Sequence, residues 1–286
     1  MSPALPYIVG ALEFGLAVAG VGLLWRKVLC PAATARREPS PLAQSQSEKC
    51  GLAPWEVPIT DFFKFLMLVL TGAFLTAGGA GFAAKSFSLR GDAATVFSGA
   101  AMHLGMLAGV VAYRFGVERR PFGPRLARPG VFTSGAATFL ISLPLLIATA
   151  STWEFLLQQL GLPTERQDLI GMFANADSPW LLAVMITLAV VIAPLNEELV
   201  FRAGFFRYLR TRIPRWLALV LPALFFATLH VNRDTLQGLA SLAPLVVLAI
   251  VFSLAYERTG RIGTSIVAHA CFNLNTILVI FSGLST

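Results

Sequence analysis

Apolar residues run through this chain in long unbroken stretches rather than in alternation with polar ones. Eight stretches approach the length needed to cross a bilayer, at about 5–25, 60–83, 93–114, 131–150, 179–208, 215–232, 238–256 and 262–283. Continuous runs of this kind predict helices, because a barrel would show a period of two. The chain is therefore expected to be all-α, a polytopic membrane protein with about eight transmembrane helices. The pattern falls into two parts: residues 1–178, with the first four helices, and residues 179–286, a core of four helices interrupted by polar positions. Residues 26–59 are polar and rich in Pro, Ser and Gln, and are expected to form a mobile loop without a core of its own. Residues 151–178 set Glu154, Glu165, Asp168 and Asp177 against Trp153, Phe155, Leu156 and Leu160, which predicts an amphipathic segment lying on the membrane surface. No internal repeat is evident, so a transporter built from inverted repeats gains no support.

Composition agrees with this pattern. Only 13% of residues are charged, against about 25% in a soluble domain. The net charge of +7 brings nucleic acid to mind. The basic residues form no stripe with interleaved aromatics, however, and collect between the apolar runs as they do in cytoplasmic loops. Of the 22 Lys and Arg, 17 follow the first, third, fifth and seventh runs, counting the polar end of the fifth. This bias places both termini outside a plasma (inner) membrane and the basic loops in the cytoplasm. The first run lacks a basic leader and an A-x-A site, unlike a cleaved signal peptide. Cys30, Cys50 and Cys271 show no CxxC spacing, and no structural disulfide is expected.

The chemistry lies in the polar positions inside the last four runs. Ionisable groups at membrane depth cost roughly 2.5–3.5 kcal/mol each on insertion scales, so they need partners or a function. Glu198 and Arg202 stand at i, i+4 and can pair along one helix face, while Glu197 points about 100° away. Phe226 and His230 share a face at the same spacing, as do His269 and Asn273. With about 1.5 Å of rise per residue, Glu197, His230 and His269 lie roughly 16, 22 and 12 Å from the cytoplasmic edge, and helix tilt can bring them into one layer. The bland readings are a buried structural clamp for Glu198 and Arg202 and interhelical hydrogen bonds for the histidines. His103 and Glu13 lack such company. They read as a packed or pore-lining polar group and an unassigned intramembrane acid.

The three patterns together, PLNEELVFRAGFFRYL, ALFFATLHV and GTSIVAHACFNLNT, resemble the motifs of the CPBP intramembrane proteases, the family of the type II CAAX prenyl endopeptidases and bacterial Abi proteins. The likeness covers about residues 180–280; nothing in the first four helices is diagnostic. It implies hydrolysis of a peptide bond in membrane-associated or lipidated substrates, with membrane lipids as the other partner. Glu197 would be the general base and His230 would hold the water. His269 and Asn273 would bind the oxyanion, with Glu198, Arg202 and Phe226 in support. The resemblance leaves the metal open. Glu197, His230 and His269 could make a three-ligand zinc site, while a metal-free glutamate mechanism uses the same residues and suits Asn273 better. H-E-x-x-H, G-x-G-D and G-x-S-x-G signatures are missing. A non-proteolytic scaffold, immunity factor or transporter would keep the same cluster for helix assembly.

Overall fold

The computed structural model describes residues 4–29, 52–118, 130–164, 173, 178–231 and 238–283. Its regular structure is helical: α1 (Leu5–Leu24), α2 (Ile59–Ser86), α3 (Gly91–Tyr113), α4 (Val131–Gln159), α5 (Pro179–Arg210), α6 (Arg215–Thr228), α7 (Leu239–Thr259) and α8 (Ile262–Ser282). Seven of these are long and apolar enough to span a membrane, and α6 is the exception. The chain is thus a polytopic membrane protein, as the hydropathy pattern predicts, with a different sixth element.

Fourteen residues of helix reach only about 21 Å, less than the roughly 30 Å of hydrocarbon. The neighbouring contacts show how the chain nevertheless returns. Glu257, near the end of α7, pairs with Arg210 and Arg215 at the α5–α6 turn, at 2.6 and 2.7 Å. At the other end of α7, the Leu239 carbonyl accepts a hydrogen bond from Trp153 Nε1 of α4 at 2.8 Å. Arg215 at the start of α6 and Leu239 at the start of α7 therefore lie at opposite ends of α7. The turn from α7 to α8 is made by Gly260, whose φ of 62° suits a residue without a side chain.

Two sequence expectations change. Residues 151–159 continue α4 instead of starting a separate surface segment, and most of the remainder lies outside the described residues. Residues 52–58, expected within a mobile loop, form no helix and are pinned to the end of α5 and the turn after it. Arg207 Nε donates to Ala53 O at 2.8 Å, and Arg212 donates to the carbonyls of Trp55 and Val57. Trp55 is buried, edge-on to Phe62, Phe65, Tyr113 and Tyr208, with centroids 5.7–6.3 Å away. One aromatic side chain thereby ties α2, α3 and α5 together. Composition hid this, because a single Trp in a Pro-rich stretch has no periodicity.

α2 and α3 form a close hairpin through small residues. Gly72 faces Gly105 so tightly that a Cβ on either would run into the other's backbone, and a Cβ on Gly109 would lie 2.7 Å from the Leu68 carbonyl carbon. The Gly105-x-x-x-Gly109 spacing is what allows this approach between membrane helices. Gly109→Leu is expected to destabilise the detergent-purified protein by about 1–3 kcal/mol, as overpacking does. Gly99→Leu on the same helix, where a Cβ would meet nothing within 4 Å, is expected to change stability by less than about 0.5 kcal/mol. Equal thermal midpoints for the two variants would contradict this packing.

Candidate active site

α5 carries the acidic residues and is not a uniform α-helix. Ser178 caps it, its hydroxyl accepting from the Leu181 N–H at 3.4 Å, and Pro179 opens the first turn. The helix then widens to π-type turns at Leu188–Ile192 and again at Glu198–Phe206. Pro194 accounts for the first. It has no N–H to donate, and its ring would clash with a carbonyl one turn earlier in a regular helix. The N–H of Ala193 goes back to Leu188 O. The Ala189 carbonyl would next be served by residue 194, which is proline. Asn273 of α8 fills the gap, donating Nδ2–H to Ala189 O at 2.7 Å. The amide expected at the oxyanion thus fastens α8 to the bulge that precedes Glu197.

The centre of the site is a chain of buried contacts. Arg202 Nη1 lies 2.8 Å from Glu198 Oε1, and the two side chains are 2% and 0% exposed. The spacing at i, i+4 works as the sequence predicts. His269 Nδ1 hydrogen-bonds the same Glu198 oxygen at 2.9 Å, and its Nε2 stands 3.7 Å from Glu197 Oε2. That second distance is within ionic range but too long for a direct hydrogen bond. It is a separation at which a water or substrate atom can bridge two polar groups. Glu198 therefore joins Arg202 to His269, and His269 presents its other edge to Glu197, which keeps 15% of its side chain exposed.

Aromatic rings enclose this chain. The Arg202 guanidinium carbon sits 4.8 Å from the Phe226 ring centroid and 5.5 Å from that of Phe252. The His269 ring packs against the same two phenylalanines, at 6.2 and 5.3 Å. A cation over ring faces gains about 0.5–2 kcal/mol, more when desolvated. Here the rings partly replace the hydration that burial removes. The guanidinium's two terminal nitrogens and Glu198 Oε2 make no well-aligned hydrogen bond among the described residues, despite the short ion pair.

The remaining site residues are placed less uniformly. Phe226 is buried against Phe201, Arg202 and His269. His230 lies in the turn after α6; its Nδ1 bonds Phe226 O at 2.8 Å and its ring lies 4.4 Å from the Phe226 ring. Through Phe226, His230 borders the His269 cluster. Among the described residues, no three His, Cys, Asp or Glu side chains gather in a way that could hold a metal ion. Glu197, His230 and His269 form no such gathering among the described residues.

Two contributors escaped the sequence reading, and a third residue gained a neighbour. Phe252 looks in sequence like any aromatic of an apolar helix. Asn196 is wholly buried and donates Nδ2–H to His103 O at 2.8 Å, which joins α5 to α3; its place beside Glu197 was the only signal. His103, expected to lack company, sits within electrostatic reach of Glu197. Glu13 also has a polar neighbour, Asn275 on α8. Cys271 is a free, half-buried thiol, and Cys30 and Cys50 lie outside the described residues.

Removing one half of a buried ion pair strands the other charge. Arg202→Ala is expected to cost about 3–5 kcal/mol of stability, measured by unfolding in mixed micelles. Stability equal to wild type would show that the pair contributes nothing to the core.

Comparison with known proteins bears on this segment of the chain. Residues 179–275 match the family model described as type II CAAX prenyl endopeptidase Rce1-like. Among curated proteins, the UPF0177 protein YbdI of Lactococcus lactis is 31% identical over 91 residues, covering 32% of this chain and 46% of that one. An uncharacterized 24.3 kDa protein of Escherichia coli is 30% identical over 112 residues, 38% of this chain and 49% of that one. An uncharacterized protein of Mycoplasma capricolum is 28% identical over 104 residues, 36% and 29% of the two. The chain thus spans less than half the length of each of these relatives. No solved structure matches it. The matched residues hold Glu197, Glu198, Arg202, Phe226, His230, His269 and Asn273, and this Rce1-like match is consistent with the CPBP family that their motifs resemble.

Proposed function

We propose that this protein is an intramembrane endopeptidase that hydrolyses a peptide bond in membrane-associated or lipidated substrates. The observation that carries the reading is the arrangement around Glu197: a partly exposed carboxylate, an imidazole edge 3.7 Å away, and a buried Arg202–Glu198 pair holding that imidazole from behind. Structural clamps do not need the exposed member. The Rce1-like match over residues 179–275 supports the same reaction class.

In this reading Glu197 takes a proton from water, and the resulting hydroxide oxygen bonds to the peptide carbonyl carbon. His230 helps to hold that water. His269, fixed at Nδ1 by Glu198, presents Nε2 to the carbonyl oxygen as it becomes negative, an arrangement most effective where water is excluded. The C–N bond then breaks, and the proton on Glu197 passes to the leaving amine. Asn273 contributes by holding α8 against the bulge of α5. Its second N–H remains available to the oxyanion role that the motif implies. The basic residues after α1, α3, α5 and α7 favour a plasma (inner) membrane location, with a cytoplasmic opening and both termini outside.

The test is cleavage of a quenched, lipidated peptide by the purified protein. Glu197→Gln is expected to abolish cleavage while leaving thermal stability near wild type. Wild-type protein that cleaves nothing in a broad peptide panel, with a Glu197→Gln variant that unfolds, would favour the assembly reading. Chelator-treated, metal-free protein is expected to retain its activity; loss on chelation with rescue by zinc would overturn the metal-free mechanism.

A further inference from the structure

The chain has three histidines, and the motifs account for two of them. The third, His103, lies on α3. The buried Asn196 amide grips the His103 carbonyl at 2.8 Å, so the α3 backbone at this point is fixed against the residue that precedes Glu197. The His103 ring is half-buried. Its Nδ1 is fully covered and has no hydrogen-bond partner among the described residues. An unpaired buried ring nitrogen costs about 1–3 kcal/mol. Native proteins rarely leave such a group unsatisfied without a water, an ion or a catalytic role to explain it. Glu197 is the carboxylate within electrostatic reach of the His103 ring.

We infer that His103 is a third imidazole of the Glu197 site, its Nδ1 sharing with Glu197 the water that attacks the peptide. The inference deepens the hydrolytic reading and rests on it for the fate of that water. In this arrangement Glu197 has two imidazole neighbours, His269 at 3.7 Å from α8 and His103 within electrostatic reach from α3. His103 forms no covalent bond in the reaction and gains no charge. It supplies one hydrogen bond that turns a lone pair of the water toward the carbonyl carbon while Glu197 takes the proton. The Asn196–His103 bond acquires a purpose in this arrangement, since it sets the height of the imidazole relative to the carboxylate.

Two readouts on the full chain in detergent test this. With only three histidines, the imidazole nitrogens of 15N-histidine-labelled protein give three sets of resonances, assignable from His103→Gln, His230→Gln and His269→Gln. The His103 set is expected to move in Glu197→Gln and to stay in place in Glu118→Gln, a control carboxylate beyond the end of the same helix. In the cleavage assay, His103→Phe is expected to lower kcat by about 10²-fold, the usual scale for a misplaced reactant. KM and the thermal midpoint should stay close to wild type, and His103→Gln, which keeps a hydrogen-bonding group, should recover part of the loss. An unmoved His103 resonance in Glu197→Gln overturns the inference whether or not the protein cleaves anything. So does wild-type kcat in His103→Phe. A moved resonance in a protein that cleaves no peptide would keep His103 at the Glu197 site and overturn the hydrolytic reading alone.

Discussion

Arg202 and Glu198 face each other inside a bundle that excludes water from both, and the packing of α5, α6, α7 and α8 can be understood from the cost of keeping them there. Two charges removed from water are held at a profit only with good geometry and further partners. Here the partners are specific. His269 bonds the shared carboxylate oxygen, while Phe226 and Phe252 lay their rings against the guanidinium. Each brings its own helix with it, so satisfying one ion pair also fixes three helices around α5. The imidazole edge that meets Glu197 is set by the same contacts.

The second determinant is the irregularity of α5. A helix with Pro194 in its middle cannot complete its ladder, and the widened turn leaves the Ala189 carbonyl to be served from outside. Asn273 supplies that bond. The adjoining Asn196 reaches the other way, to α3. The stretch before Glu197 is thus held from both sides by side-chain amides. A carboxylate placed this way keeps its geometry without being buried, as a general base requires.

Much of this was legible in the sequence. Long apolar runs were enough for the helical membrane architecture, and the i, i+4 spacing of Glu198 and Arg202 named the pair that forms. Spacing along one helix could not say that His269 would share the Glu198 oxygen that faces Arg202, nor that Asn273 would spend an N–H on a backbone carbonyl. Those choices depend on where a proline interrupts a neighbouring helix. Residues 215–232 read as a full span because hydropathy does not register where a helix stops. The role of Trp55 and the neighbours of His103 were not legible for a shared reason. Each acts through contacts far away in sequence, which leave no period to detect.

The account depends most on Glu198 acting as a bridge, joined to Arg202 on one side and to His269 on the other. A double-mutant cycle on unfolding free energy, with Glu198→Gln, His269→Gln and the combined variant, measures that link directly. The bridge requires a coupling of about 1 kcal/mol or more between the two positions, in the range found for residues sharing a buried network. Effects that add to within about 0.5 kcal/mol, as independent sites do, would contradict it.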